Sequence, residues 1–203
     1  MSFAATISND DITAMPTARF NGRIVIVDKE SQIEAACRDL SRWPVIGFDT
    51  ETRPSFRAGV TNRVALLQLS TPKTCYLFRL CRIRLDNRIL KILCSKRIIK
   101  VGADVAGDMR SLHVLRDFDA QGFVDLQAEA GTCGIEEKSL RKIAAITLGV
   151  RVSKAQRLSN WEAAELTGQQ KMYAAIDAWI CIEILDRIRR AQSSADKPEM
   201  SAL

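Results

Sequence analysis

No uninterrupted apolar stretch of this 203-residue chain approaches the length of a membrane-spanning helix. Residues 1–17 also lack the basic-then-apolar order of a secretion signal, so the chain is expected to stay inside the cell, in the cytoplasm. The six cysteines, Cys37, Cys75, Cys81, Cys94, Cys133 and Cys181, contain no C-x-x-C pair, and most lie in apolar runs. That scatter speaks against a zinc or redox site and for buried, reduced thiols. There is no internal repeat and no P-loop, which sets aside repeat arrays and P-loop nucleotide hydrolases.

What is present suits one α/β domain with a real core. Hydrophobic residues make up 47% of the chain and charged residues 27%, the balance of an ordinary soluble globular protein. The formal charge of +6 is modest, but it is concentrated: residues 79–100 hold eight lysines and arginines against one acid, Asp86. A charge run is commonly a solvated face. Beside an acidic site, however, such a segment suits a polyanion whose phosphates need neutralising.

The pattern along the chain places the elements. Residues 1–19 are small and polar without periodicity and are expected to form a flexible arm, with one domain over 20–191 and a flexible tail over 192–203. Strands are expected at 22–27, 45–52, 64–69, 75–80, 98–101 and 123–126. The second, third and fourth of these follow one another closely enough for an antiparallel meander. Helices are expected after a Ser31/Glu34 capping box, over 86–93, 104–115 and 139–148, and over 168–190 behind a Thr167/Gln170 box. Asp104 is read as an N-cap because it directly precedes the periodic residues.

The stretch 45–52, V-I-G-F-D-T-E-T, is an apolar run between Pro44 and Pro54 that ends in two carboxylates. Residues two apart on a strand project to the same side, so Asp49 and Glu51 are forced together. Like charges at close range raise each other's pKa, and a divalent cation resolves the conflict; solvated turn residues are the plainer alternative. Two further acids sit on apolar helix faces. Asp108 falls in the stripe of Val105, Leu112 and Leu115, and Asp177 in that of Ile180, Cys181 and Ile184, with Tyr173 one turn earlier. Each could be a structural ion-pair partner. Together, four inward carboxylates offer oxygen ligands suited to Mg²⁺ or Mn²⁺, and enough of them for two such ions.

Three segments carry a resemblance. F-D-T-E-T at 48–52, G-D-M-R-S-L at 107–112 and Y-A-A-I-D at 173–177 resemble the three motifs of the DnaQ-like 3'-5' exonucleases, which have a ribonuclease H-like fold with a mixed central sheet flanked by helices. Tyrosine four residues before the last aspartate marks the DEDDy subgroup; the other subgroup places a histidine five before it, where this chain has Met172. The sole histidine, His113, is read as structural. V-A-L-L-Q-L-S, L-R-D-F and S-N-W are similar to the Werner-syndrome-type exonuclease domain. The resemblance implies that Asp49, Glu51, Asp108 and Asp177 bind two divalent metal ions, Mg²⁺ or Mn²⁺, and that Tyr173 orients the attacking water.

Phe56 and Trp161 could stack on terminal bases or belong to the core, and Arg53, Arg57 and Arg63 could reach phosphates or be solvated. The expected activity is 3'-5' exonuclease hydrolysis of DNA or RNA, DNA slightly favoured, releasing nucleoside monophosphates. A catalytically silent nucleic-acid-binding module and a small phosphate-ester hydrolase are the rivals.

Overall fold

The strand Val64–Ser70 reads V-A-L-L-Q-L-S, with no polar alternation, and every one of its residues is buried. Such a strand must be covered on both faces, and it takes the middle of the sheet. The computed structural model describes residues 3–55, 59 and 62–195. In chain order it contains α1 (Asn9–Ala14), β1 (Arg23–Val27), α2 (Glu30–Leu40), β2 (Val45–Thr52), β3 (Val64–Ser70) and β4 (Thr74–Phe78). There follow α3 (Asn87–Leu93), β5 (Ile99–Gly102), α4 (Val105–His113), β6 (Phe123–Asp125), α5 (Leu126–Thr132), α6 (Leu140–Leu148) and α7 (Gly168–Ala195). The expected tail therefore begins as a continuation of α7.

The sheet order is β1-β4-β3-β2-β5-β6. β3 runs antiparallel to both neighbours, giving the expected meander, while β1–β4, β2–β5 and β5–β6 pair in parallel. The C-terminal ends of β1, β4, β2, β5 and β6 thus share one edge of the sheet. This is the mixed, helix-flanked sheet of the ribonuclease H-like fold.

Alternation along β2 divides its residues between two cores. Ile46 and Phe48 join a layer with α2 and α3, where the Phe48 ring meets Phe123 edge-on at 5.1 Å. Gly47, Asp49 and Glu51 turn to the other side, where α7 lies. Ala174, Ala175 and Ala178 of α7 are fully buried there. A Cβ on Gly47 would lie 1.8 Å from the Ala178 carbonyl oxygen. Only glycine permits this crossing, and the crossing brings Asp177 against β2.

Helix ends follow local chemistry, with two departures. The Thr167/Gln170 box forms: Thr167 N–H donates to Gln170 Oε1 at 2.9 Å and Gln170 N–H to Thr167 Oγ1 at 3.1 Å. In α2, Gln32 replaces the expected Ser31/Glu34 box, accepting the N–H groups of Asp28 and Lys29 at 3.0 and 2.9 Å. The helix consequently starts before Ser31. Asp104 precedes α4 but makes no side-chain cap, because its backbone is left-handed (φ 57°) where a cap needs extended geometry. Asp125 supplies the cap instead, accepting from Val105 N–H at 2.9 Å and from Gln127 N–H at 2.8 Å.

Residues 3–19 do not hang free as the expected arm. They form α1, bury Ile12 completely, and dock alongside residue 151: Ala18 N–H donates to the Arg151 carbonyl at 2.9 Å and Arg151 N–H to that of Pro16 at 2.8 Å. A six-residue helix with one buried apolar side chain leaves too little periodicity to read, and its partners lie far off in the chain. Among the described residues, no helix is long and apolar enough to cross a membrane.

Candidate active site

Asp49 and Glu51 stand at the C-terminal end of β2, and the α7 crossing at Gly47 delivers Asp177 to the same place. One carboxylate oxygen from each of the three lies within 4.8 Å of the others. Asp108, in the first turns of α4, adjoins this group without entering it. Its Oδ1 accepts the Thr50 hydroxyl at 2.5 Å, and its charge acts directly on Asp49.

All four acids are pushed towards protonation. Asp49 is raised well above the ordinary carboxyl value by burial, then by the charges of Asp108, Asp177 and Glu51, against a hydrogen bond from the Thr50 backbone. Burial, then Asp177 and Asp108, raise Glu51 to about 9. Burial raises Asp108 and Asp177 each to about 7, with the Thr50 hydroxyl opposing the first shift and Tyr173 the second. Among the described residues, no lysine or arginine forms an ion pair with any of them. The donor set is therefore all oxygen, crowded, and short of positive charge, which fits a hard divalent cation.

Tyr173 projects from α7 one turn before Asp177. Burial, then the charges of Asp177 and Glu51, raise its phenol above its ordinary value, so at neutral pH it is a proton donor and not a base. Its ring packs 6.0 Å from Trp161. Trp161 itself is fully enclosed, leaving no ring face for a nucleic-acid base. Its indole N–H stands beside Glu51 outside full hydrogen-bond geometry and works against the rise there. The polar connector places Trp161 because Gln170 grips it, donating to Ser159 Oγ at 2.8 Å and to the Asn160 carbonyl at 3.2 Å. Arg79 adds donors to the carbonyls of Ala163 and Ala164.

Of the other expected substrate contacts, Arg53 is exposed and donates to Glu162 at 3.2 Å, joining the end of β2 to the same connector. Arg63 is exposed. Phe56 and Arg57 lie outside the described residues. Three contributors escaped sequence reasoning. Within β2, Gly47 precedes the acids and Thr50 lies between them, and only the α7 and α4 contacts reveal their roles. Gln68 pairs with Asp49 across β2 and β3, fully buried, with neither end of its amide hydrogen-bonded. A polar residue inside an otherwise apolar strand was its signal.

Residues 24–191 match the family model described as 3'-5' exonuclease. The chain belongs to the 3'-5' exonuclease family. Over 187 residues the exonuclease is 35% identical to the mouse bifunctional 3'-5' exonuclease/ATP-dependent helicase WRN, a match covering 86% of this chain and 13% of the relative. It is 31% identical to human exonuclease 3'-5' domain-containing protein 2 over 180 residues, covering 80% of this chain and 28% of that one. The chain thus spans a minor part of these relatives. In fold it is similar to the EXO domain of Aedes aegypti Nibbler, with TM-score 0.79, 22% identity, and 89% and 94% of the two chains covered. Escherichia coli RNase D gives TM-score 0.76 at 21% identity, covering 85% of this chain and 46% of that one.

Proposed function

We propose that this exonuclease is a two-metal enzyme of the DEDDy type. It removes nucleoside monophosphates from the 3' end of a nucleic acid, with DNA held slightly ahead of RNA. The observation that carries this reading is the trio of half-buried Asp49 with Glu51 and buried Asp177, within 4.8 Å and without a counter-cation among the described residues, with Asp108 alongside. Asp49, Glu51 and Asp177 would hold one Mg²⁺ or Mn²⁺ and Asp108 would complete the site of the other. When bound, such ions supply Lewis-acid stabilisation of the charge that develops at the phosphodiester.

The chain's own groups do the positioning. The Tyr173 phenol, kept protonated, donates a hydrogen bond that orients the attacking water. Enclosed Trp161 excludes solvent behind Glu51 and stiffens the Tyr173 ring. Arg53, exposed at the end of β2, would meet phosphates as they approach, and Arg57, outside the described residues, is proposed from the sequence for the same duty. Water attacks phosphorus, the bond to the preceding nucleotide's 3' oxygen breaks, and that oxygen takes up a proton as the monophosphate leaves.

The test is a gel assay on end-labelled single-stranded DNA and RNA with Mg²⁺, Mn²⁺ or EDTA, beside Asp49→Ala. A metal-dependent ladder shortening from the 3' end, absent in the variant, is expected. Cleavage that survives EDTA or the substitution would overturn the reading. Binding without cleavage would leave a silent module, and inorganic phosphate from small esters would point to the phosphatase.

A further inference from the structure

Three clefts on the surface share walls and form one furrow. The first lies between Asn62, Arg63, Arg110 and Val114, and includes Gly107, the residue before Asp108. The second shares Arg63 with it and continues past Arg82 to Leu80 and Leu115. The third, about 710 Å³, shares Leu80 and Leu115 and opens among Arg84, Arg88 and Arg116.

The topology explains the alignment. Because β2, β4 and β5 are parallel, the ends of β2 and β4 and the start of α4 after β5 all lie along the sheet edge that carries the carboxylates. Ligands of open α/β sheets gather at this edge.

The furrow's walls are cationic and its floor partly apolar. Six arginines line it, Arg63, Arg82, Arg84, Arg88, Arg110 and Arg116, against Glu30, Asp86 and Glu162. Arg88 is held by Asp86, and Arg116 donates to the Leu85 carbonyl at 3.1 Å and to Asn87 at 2.7 Å. Arg63, Arg84 and Arg110 are exposed, with no hydrogen-bond or ion-pair partner among the described residues. Val114, 66% exposed, lines the furrow beside Arg63 and Arg110, and half-buried Leu80 and Leu115 line it further along.

We infer that this furrow carries the single strand 5' of the scissile nucleotide, phosphates against the arginines and bases over the apolar floor. The inference rests on the exonuclease reading for its direction: a 3' end seated at Asp49 must lead its strand away, and the furrow begins beside Asp108. Arginine rims and an apolar floor are the features with which proteins hold single strands without reading sequence. Part of the charge in residues 79–100 acquires a location, since Arg82, Arg84 and Arg88 line the furrow.

The test compares wild type with the Arg84→Glu/Arg110→Glu double variant, whose replaced side chains hold no other part of the described fold. Two readouts are needed: hydrolysis of a dinucleotide against a single-stranded dodecamer, and anisotropy of a labelled dodecamer in EDTA over a salt series. Expected are a rise of about tenfold or more in KM for the dodecamer, unchanged dinucleotide kcat/KM, and a shallower salt dependence of binding. An unchanged dodecamer affinity and salt slope in EDTA would overturn the furrow, whatever the hydrolysis shows. If wild type hydrolyses neither substrate yet the double variant loses dodecamer binding, the exonuclease reading fails and the furrow stands.

Discussion

Lys100 in β5, fully buried, and Asp49 in the neighbouring β2, half-buried, are both ionisable groups set against the sheet, and the chain treats them in opposite ways. The Lys100 ammonium donates to the carbonyls of Ser95 at 2.6 Å and Ile98 at 2.7 Å and sits 5.0 Å from the Phe123 ring centre. Buried Arg79 likewise spends its guanidinium on the carbonyls of Ala163 and Ala164. These cations are balanced by dipoles the fold itself provides. Asp49 instead faces three more acids, and its main local help is one backbone hydrogen bond. A buried charge the chain satisfies is a structural element; one it leaves to its own kind waits for something outside the chain.

That contrast can be broken by substitution. Asp177→Asn should lower hydrolysis by roughly a thousandfold or more, because several kcal/mol of transition-state stabilisation depend on the site. Its metal-free thermal midpoint should hold or rise, since a like charge is removed. A drop in midpoint with activity intact would reverse the assignment. Lys100→Met should do the converse, costing about 2–4 kcal/mol in urea unfolding by stranding two buried carbonyls. Turnover per folded molecule should stay at the wild-type value.

Two smaller effects sharpen the comparison. Gly47→Ala should destabilise the fold by about 1–3 kcal/mol, as the new Cβ meets the Ala178 carbonyl. Displaced α7 should also carry Asp177 off the trio, so specific activity should fall beyond what the lost folded fraction explains. The last effect is a slope with pH. The folded carboxyls of Asp108 and Asp177 titrate at about 7 and that of Glu51 at about 9, all above their unfolded values. Protonation therefore stabilises the fold fully below the unfolded values, and this stability is lost as pH rises through about 7 and then about 9. Burial lowers Lys100 to about 8, and its neutralisation in the folded state acts in the opposite sense above that. From pH 5 to 8 without metal, the melting temperature should fall steadily. Mg²⁺ should flatten the slope, and a flat metal-free profile would refute the crowding.

Much of the carboxylate cluster was legible because its signals are local. A buried strand ending in D-T-E must set two carboxylates side by side, and a helix stripe interrupted by Asp108 or Asp177 points an acid at the protein. Trp161 was not legible in this way: an aromatic in a polar connector reads equally as base platform or core. Its enclosure follows from the grip of Gln170 and from Arg79, more than eighty residues away in sequence. The left-handed Asp104 misled for a similar reason, since its capping duty passed to Asp125 across the β5–β6 edge. The charge of residues 79–100 was visible as composition, but the furrow that three of its arginines line exists only where the segment after β4, α4 and the start of β3 meet.

By itself the sequence determined the periodicities, and hence the strands and main helices, and the side each acid faces. Those properties depend on side chains a few residues apart, whose relative directions the backbone repeat dictates. Tertiary structure alone decided the distances between the acids, the docking of residues 3–19, the burial of Trp161 and the course of the basic furrow. Each depends on contacts between segments far apart in the chain. For the carboxylates the decisive contact is the close approach of α7 at Gly47, which places Asp177 within 4.8 Å of Asp49 and Glu51.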